Sequence, residues 1–356
     1  MIRLLATAPS NLNDPHSVAR AAAAMLQTAV GIEFGTLPPY LYALYSLREG
    51  ANQRAAALIQ SVVLEEMTHL CLAANILNAL GGDPVLVPGP RYPTTLPGDI
   101  GPPGGSPLLL HLLPFSREAM QQAMQIEEPV APPDYPVIRP LAATAGTAEQ
   151  TQTIGEFYAA VDAYLEVLPP EFWQPGRNQI GDRQYFAGQI YPVLGYSDAH
   201  RAIGQIVSEG EGTSQGTAPS PLDFHEDLAH YYRFSELFQN LLLHKADQPL
   251  GYQFGPDSAG VDWEGVYPAI ADPSGHDFSG DPPEARAAQA ACNLAYSQML
   301  DALQAALRGN TTGAMGQAVG AMYALRRAAR AAMLAPLADA KQVAGPAFLY
   351  SPPARS

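Results

Sequence analysis

Glu66-Met67-Thr68-His69 places a carboxylate and an imidazole three residues apart. On a helix, residues at this spacing project from the same face, so Glu66 and His69 can grip one ion together. Their neighbours Val62, Val63, Leu70 and Leu72 are apolar. A buried carboxylate there needs a partner, because an unpaired buried charge is expensive. Upstream, Glu33 sits in the equally apolar run Val30-Gly31-Ile32-Glu33-Phe34. A glutamate from one helix and Glu-x-x-His from the next make half of a di-iron carboxylate site.

The other half has to come from later helices. Asp227-Leu228-Ala229-His230 repeats the three-residue spacing with aspartate in place of glutamate. Two glutamates compete for the lone carboxylate. Glu156 shares a face with the small residues Ala159, Ala160 and Ala163, whereas Glu211 ends a helix just before Gly212. A carboxylate at a helix C-terminus opposes the helix dipole unless a cation compensates it. His230, beside Tyr231, Tyr232 and Phe234, reads equally as a packed histidine, and His225 and His200 read as surface residues. Tyr40, Tyr42, Phe157, Tyr158 and Tyr231 are either core or the lining of an aromatic cavity. Oxygen and imidazole ligands suit two iron ions, or manganese in their place, better than copper or structural zinc.

Helices must position these groups. Apolar spacing predicts one over 16–48, kinked at Pro38-Pro39, and a second over 51–80 stopped by Gly81-Gly82. The short connection around Gly50 makes them antiparallel neighbours. Further helices are expected at 116–126, 147–168, 197–211, 223–244, 284–308 and 312–335, the last two joined by Gly309-Asn310. Long proline- and glycine-rich excursions occupy 82–114, 129–140 and 249–283. With no internal repeat, residues 1–356 read as one all-α domain. Its bundle core spans about 16–81 and 147–245, and extra C-terminal helices lie within 284–335.

Composition narrows the partners. Nineteen basic against 34 acidic residues leave a net charge of −15, which disfavours nucleic acid and anionic membrane surfaces. Cys71 and Cys292 form no metal-type pair or disulfide framework, and the N-terminus carries no convincing signal peptide. The expectation is a cytoplasmic protein acting on a small-molecule substrate, with a homodimer possible through its alanine-rich outer helices.

Taken together, several runs are similar to the ferritin-like family of iminophenyl-pyruvate dimer synthases, known from bisindole pigment pathways. They are Ile32-Glu33, Pro38-Pro39-Tyr40 to Ser46, Glu65 to His69, Thr153 to Tyr158, Glu209 to Gly212, His230 to Phe234, Trp263 with Val266-Tyr267-Pro268, and Gly345 to Phe348. The resemblance spans about residues 16–350. It implies a ferritin-like four-helix bundle and a ligand set of Glu33, Glu66, His69, Glu156, Glu211 and His230. It further implies a di-iron oxidoreductase coupling imines derived from an aromatic amino acid. Glutamate at 209 and aspartate at 227 depart from the family pattern, which has glutamine and glutamate there. The competing functions are a non-catalytic or vestigial metal-binding module and, less favoured by the proline-rich excursions, iron storage.

Overall fold

The computed structural model describes residues 13–351 apart from 103–104, 130–150, 182–184, 216–217, 247–250, 310–312 and 340. The expected excursion at 129–140 falls almost wholly outside the described residues. So do the expected helix start at 147–150 and Asn310 of the final turn.

The first helix, α1 (Pro15–Ser46), starts where Asp14 accepts a hydrogen bond from the His16 amide and Pro15 supplies a pre-set φ. It runs through Pro38 and Pro39 as a single helix. Pro39 cannot donate to the Gly35 carbonyl, but the Tyr92 hydroxyl does so at 2.6 Å, so that acceptor is satisfied from outside the helix. The second helix is α2 (Gln53–Ala79). By length and composition α2 is apolar enough to cross a membrane, yet most of the relevant window is buried inside the bundle.

After α3 (Arg117–Ile126) come α4 (Ile154–Glu166) and α5 (Tyr196–Glu211). Helix α1 packs on α2 and α4, and α5 packs on α2 and α4, which closes a four-helix bundle. The short α6 (His230–Gln239) packs with α3 across one end, and the hairpin of α7 (Pro283–Leu307) and α8 (Ala314–Leu334) lies against α1 and α2. Among the described residues the only strands form three two-stranded antiparallel ribbons between helices.

The long connections between helices are held by buried amides. Asn75 donates to the carbonyls of Ile180 and Tyr191 and accepts from the Ile180 amide. Asn52 likewise donates to the Asp262 carbonyl and accepts from its amide. Each side chain meets backbone groups that no helix or sheet satisfies.

Two helices depart from expectation: the one predicted over 147–168 begins only at Ile154, after its N-cap Thr153, and the one predicted over 223–244 ends at Gln239, short of the strand Leu243–Lys245. The segment predicted as helical from 223 becomes so only at His230. The Asp223 carboxylate accepts from the amides of His225 and Asp227, at 2.7 and 3.0 Å, and so folds the preceding residues into a turn.

A candidate dinuclear metal centre

Two clusters of buried ligand-type atoms meet at one glutamate. Glu33, Glu66 and His69 form the first, and Glu66, Glu127 and His230 the second, with the ligand atoms of each group within 4.8 Å of one another. In the first, His69 Nδ1 lies 3.6 Å from Glu33 Oε2 and 3.5 Å from Glu66 Oε1. In the second, His230 Nδ1 lies 3.0 Å from Glu66 Oε1 and 3.6 Å from Glu127 Oε2. The two imidazoles are stacked, with centroids 5.5 Å apart. Glu66 therefore faces both histidines, as a bridging carboxylate would.

Around this centre the two halves repeat the same supports. His69 Nε2 is 2.7 Å from Glu209 Oε2, and His230 Nε2 is 2.8 Å from Glu65 Oε2. Ionised carboxylates only accept, so each neutral imidazole carries its proton on Nε2 and turns the Nδ1 lone pair toward the cluster. Tyr158 donates to Glu33 Oε1 and Tyr40 to Glu127 Oε1, both at 2.5 Å. The Thr36 hydroxyl lies 2.7 Å from Glu66 Oε2. His230 is fully buried, and its Nδ1 has no hydrogen-bond partner. A buried polar atom left in this way calls for a missing partner. A cation held by Nδ1, Glu66 and Glu127 would supply one.

The electrostatics agree. Burial pushes the Glu33 and Glu127 carboxyls up. Burial works the same way on Glu66, but its attraction to His230 and His69 wins and holds it below the usual carboxylate range. Glu65, also desolvated, is brought down to about 2 by His230 and Arg233, whose guanidinium donates to it at 2.8 Å. Burial alone would lower both imidazoles, but the surrounding carboxylates raise them well above their ordinary value. In the metal-free chain, protons thus neutralise the cluster.

Glu33, Glu66, His69 and His230 come together. Glu156, Glu211 and Asp227 are placed elsewhere. Exposed Glu156 closes a capping box, its carboxylate accepting from the Thr153 amide while the Thr153 hydroxyl accepts from Glu156. Glu211 accepts from the Gly155 amide at 2.6 Å, so the carboxylate that opposes its own helix dipole complements that of α4. Asp227 is exposed in the turn before α6, and so is not on a helix with His230.

Sequence reasoning missed Glu127, the C-cap of α3, and the supports Glu209 and Glu65. Glu127 carried a readable signal, a carboxylate at a helix C-terminus, which is the same anomaly noted at Glu211. Two of the aromatic residues, Tyr40 and Tyr158, serve the cluster by hydrogen bonds, whereas the Tyr42 hydroxyl donates to the Ile270 carbonyl. His225 and His200 are exposed; His200 pairs with Asp162, and His225 Nε2 stands 3.8 Å from Glu209 Oε1.

Glutamates and histidines projecting inward from a helix bundle are the arrangement found in carboxylate metal proteins, and the groups gathered here could hold metal. The family described as Ferritin-like matches residues 26–239, and the chain belongs to it. A crystal structure of a ferritin-like protein from Caulobacter vibrioides at 1.95 Å resolution is similar in fold, with a TM-score of 0.62 and 22% identity. The match covers 93% of this chain and 97% of that one. No curated protein sequence matches the chain.

Proposed function

We propose that this protein is a di-iron carboxylate oxidoreductase acting on a small substrate. The observation that carries the reading is the pair of histidines whose Nδ1 atoms converge on Glu66 while their Nε2 atoms are held by Glu209 and Glu65. Two irons, bound between Glu33, Glu66, His69, Glu127 and His230, would supply the redox chemistry, with dioxygen or peroxide as oxidant. The mixed carboxylate and imidazole set also suits manganese.

The chain's own residues set the conditions. Glu209 and Glu65 fix the imidazole tautomers, and the Tyr158 and Tyr40 hydroxyls orient the terminal carboxylates. Burial of the whole cluster excludes water and strengthens each electrostatic contact. The likeness to iminophenyl-pyruvate dimer synthases makes imines derived from aromatic amino acids the first substrates to try.

The test is elemental analysis of protein purified anaerobically with iron supplied, followed by oxygen consumption with those imines. About two irons per chain and substrate-dependent oxygen uptake are expected. A chain without bound metal would sink the proposal.

A further inference from the structure

The α1–α2 pair has a second working face. Successive residues on a helix turn by about 100°, so Phe34, Leu37 and Leu41 form a stripe distinct from Glu33, Thr36 and Tyr40. That stripe, with Val63 and Met67 of α2, walls a cavity of about 210 Å³ closed by α7 and α8. The deep lining residues, among them Tyr296 and Leu303, are buried, while Leu64, Tyr185, Tyr323 and Arg326 are exposed and mark the mouth.

Three observations point to a ligand. The cavity exceeds the roughly 150 Å³ that suffices to hold a benzene in an apolar protein interior. Among its lining residues Arg326 is the sole charged group, a cation at the mouth of a pocket in a chain of net charge −15. Met67, Met299 and Met322 line the walls, and flexible thioether side chains adapt to an unbranched chain better than a rigid wall does.

We propose that this cavity binds a medium-chain aliphatic monocarboxylate, its chain between the bundle and the α7–α8 hairpin and its carboxylate on Arg326. The site is separate from the metal cluster and needs no metal.

The test is calorimetric titration of the full chain with octanoate, with octanol and octylamine as head-group controls. Octanoate binds, octanol binds roughly fivefold more weakly, as one partly exposed ion pair warrants, and octylamine binds more weakly still. Arg326→Gln removes the difference between octanoate and octanol. Met322→Trp and, separately, Val319→Phe fill the cavity and abolish octanoate binding while leaving the helical circular dichroism and the metal content unchanged. No octanoate binding to the wild-type chain overturns the proposal. So does binding that survives in both folded filling variants, or octanol binding equal to octanoate.

Discussion

The two halves of the candidate metal centre are built from the same groups on different scaffolding. Glu33, Glu66 and His69 lie in the interiors of the long helices α1 and α2. Glu127 is the C-cap of the ten-residue α3, and His230 is the first residue of the equally short α6. Interior positions are held by hydrogen bonds on both sides, whereas terminal ones depend on caps and packing. Helix dipoles add to the contrast. The C-terminus of α3 disfavours the Glu127 carboxylate, and the N-terminus of α6 disfavours an imidazolium at His230. A metal cation would relieve both, because it would compensate the carboxylate and bind the neutral imidazole. The second half would therefore gain more from metal than the first.

Five measurements would break or sharpen this comparison. Glu66→Ala removes the shared carboxylate and should take the metal content from about two ions to nearly none. Glu33→Ala and Glu127→Ala should each leave about one ion per chain. Unchanged metal content in the Glu127 variant would dismiss the second half as a binding position.

Smaller effects are expected from the supports. Glu209→Gln and Glu65→Gln should each lower affinity about 10- to 100-fold, the usual cost of losing the partner that orients a ligating histidine. Iron titration under anaerobic conditions reads both, and no loss in either would mean that the tautomers are set by something else.

Gly210→Ala is expected to act on one side only. An added methyl would stand 3.3 Å from Glu127 Oε2, and overpacking of this kind should weaken the second position by roughly fivefold. Equal weakening of both positions would show that the halves are mechanically coupled through Glu66.

The mildest expected signals are in pH. At neutral pH, loading the centre should release about two to four protons per chain, from His69 and His230 first and then from Glu33 and Glu127. A dye in weak buffer counts them; no release would contradict the raised imidazole values. For the metal-free chain the sign follows from the same shifts. The histidines, raised in the fold, stabilise it fully below about pH 6.5, and that contribution fades as pH rises through their raised values. Glu66, held low, contributes above about pH 4.5 and loses that contribution in acid. Melting temperatures of metal-free protein across this range should show both limbs, and a flat upper limb would count against imidazolium in the metal-free cluster.

Much of this was legible before any coordinates. The helical period of residues 16–80 places Glu33, Glu66 and His69 on facing helices, and polar groups in such apolar runs have to find one another. His230 was legible as a residue, but the three-residue spacing to Asp227 misled, since an Asx turn at Asp223 ends the helical register before it reaches that far. Thr153-x-x-Glu156 was readable as a capping box, which removes Glu156 from the ligands. Glu209 and Glu211 are two residues apart and so point to different sides of α5. Which of them turns inward depends on how α5 packs, and the packing sends Glu209 to His69 and Glu211 to the amide of Gly155.

Local spacing by itself determined the two long helices of residues 16–80, the Glu66–His69 pair and the need for a partner at Glu33, because helix periodicity and the cost of buried charge act within a short window. The tertiary structure alone decided that Glu127, distant in sequence and at the end of a short helix, completes the second half. It also decided that Glu66 lies between both histidines, and that the far side of α1 and α2 encloses a cavity with Arg326 at its mouth. Those are matters of how helices pack, and contacts between segments far apart in the chain leave no period in the sequence.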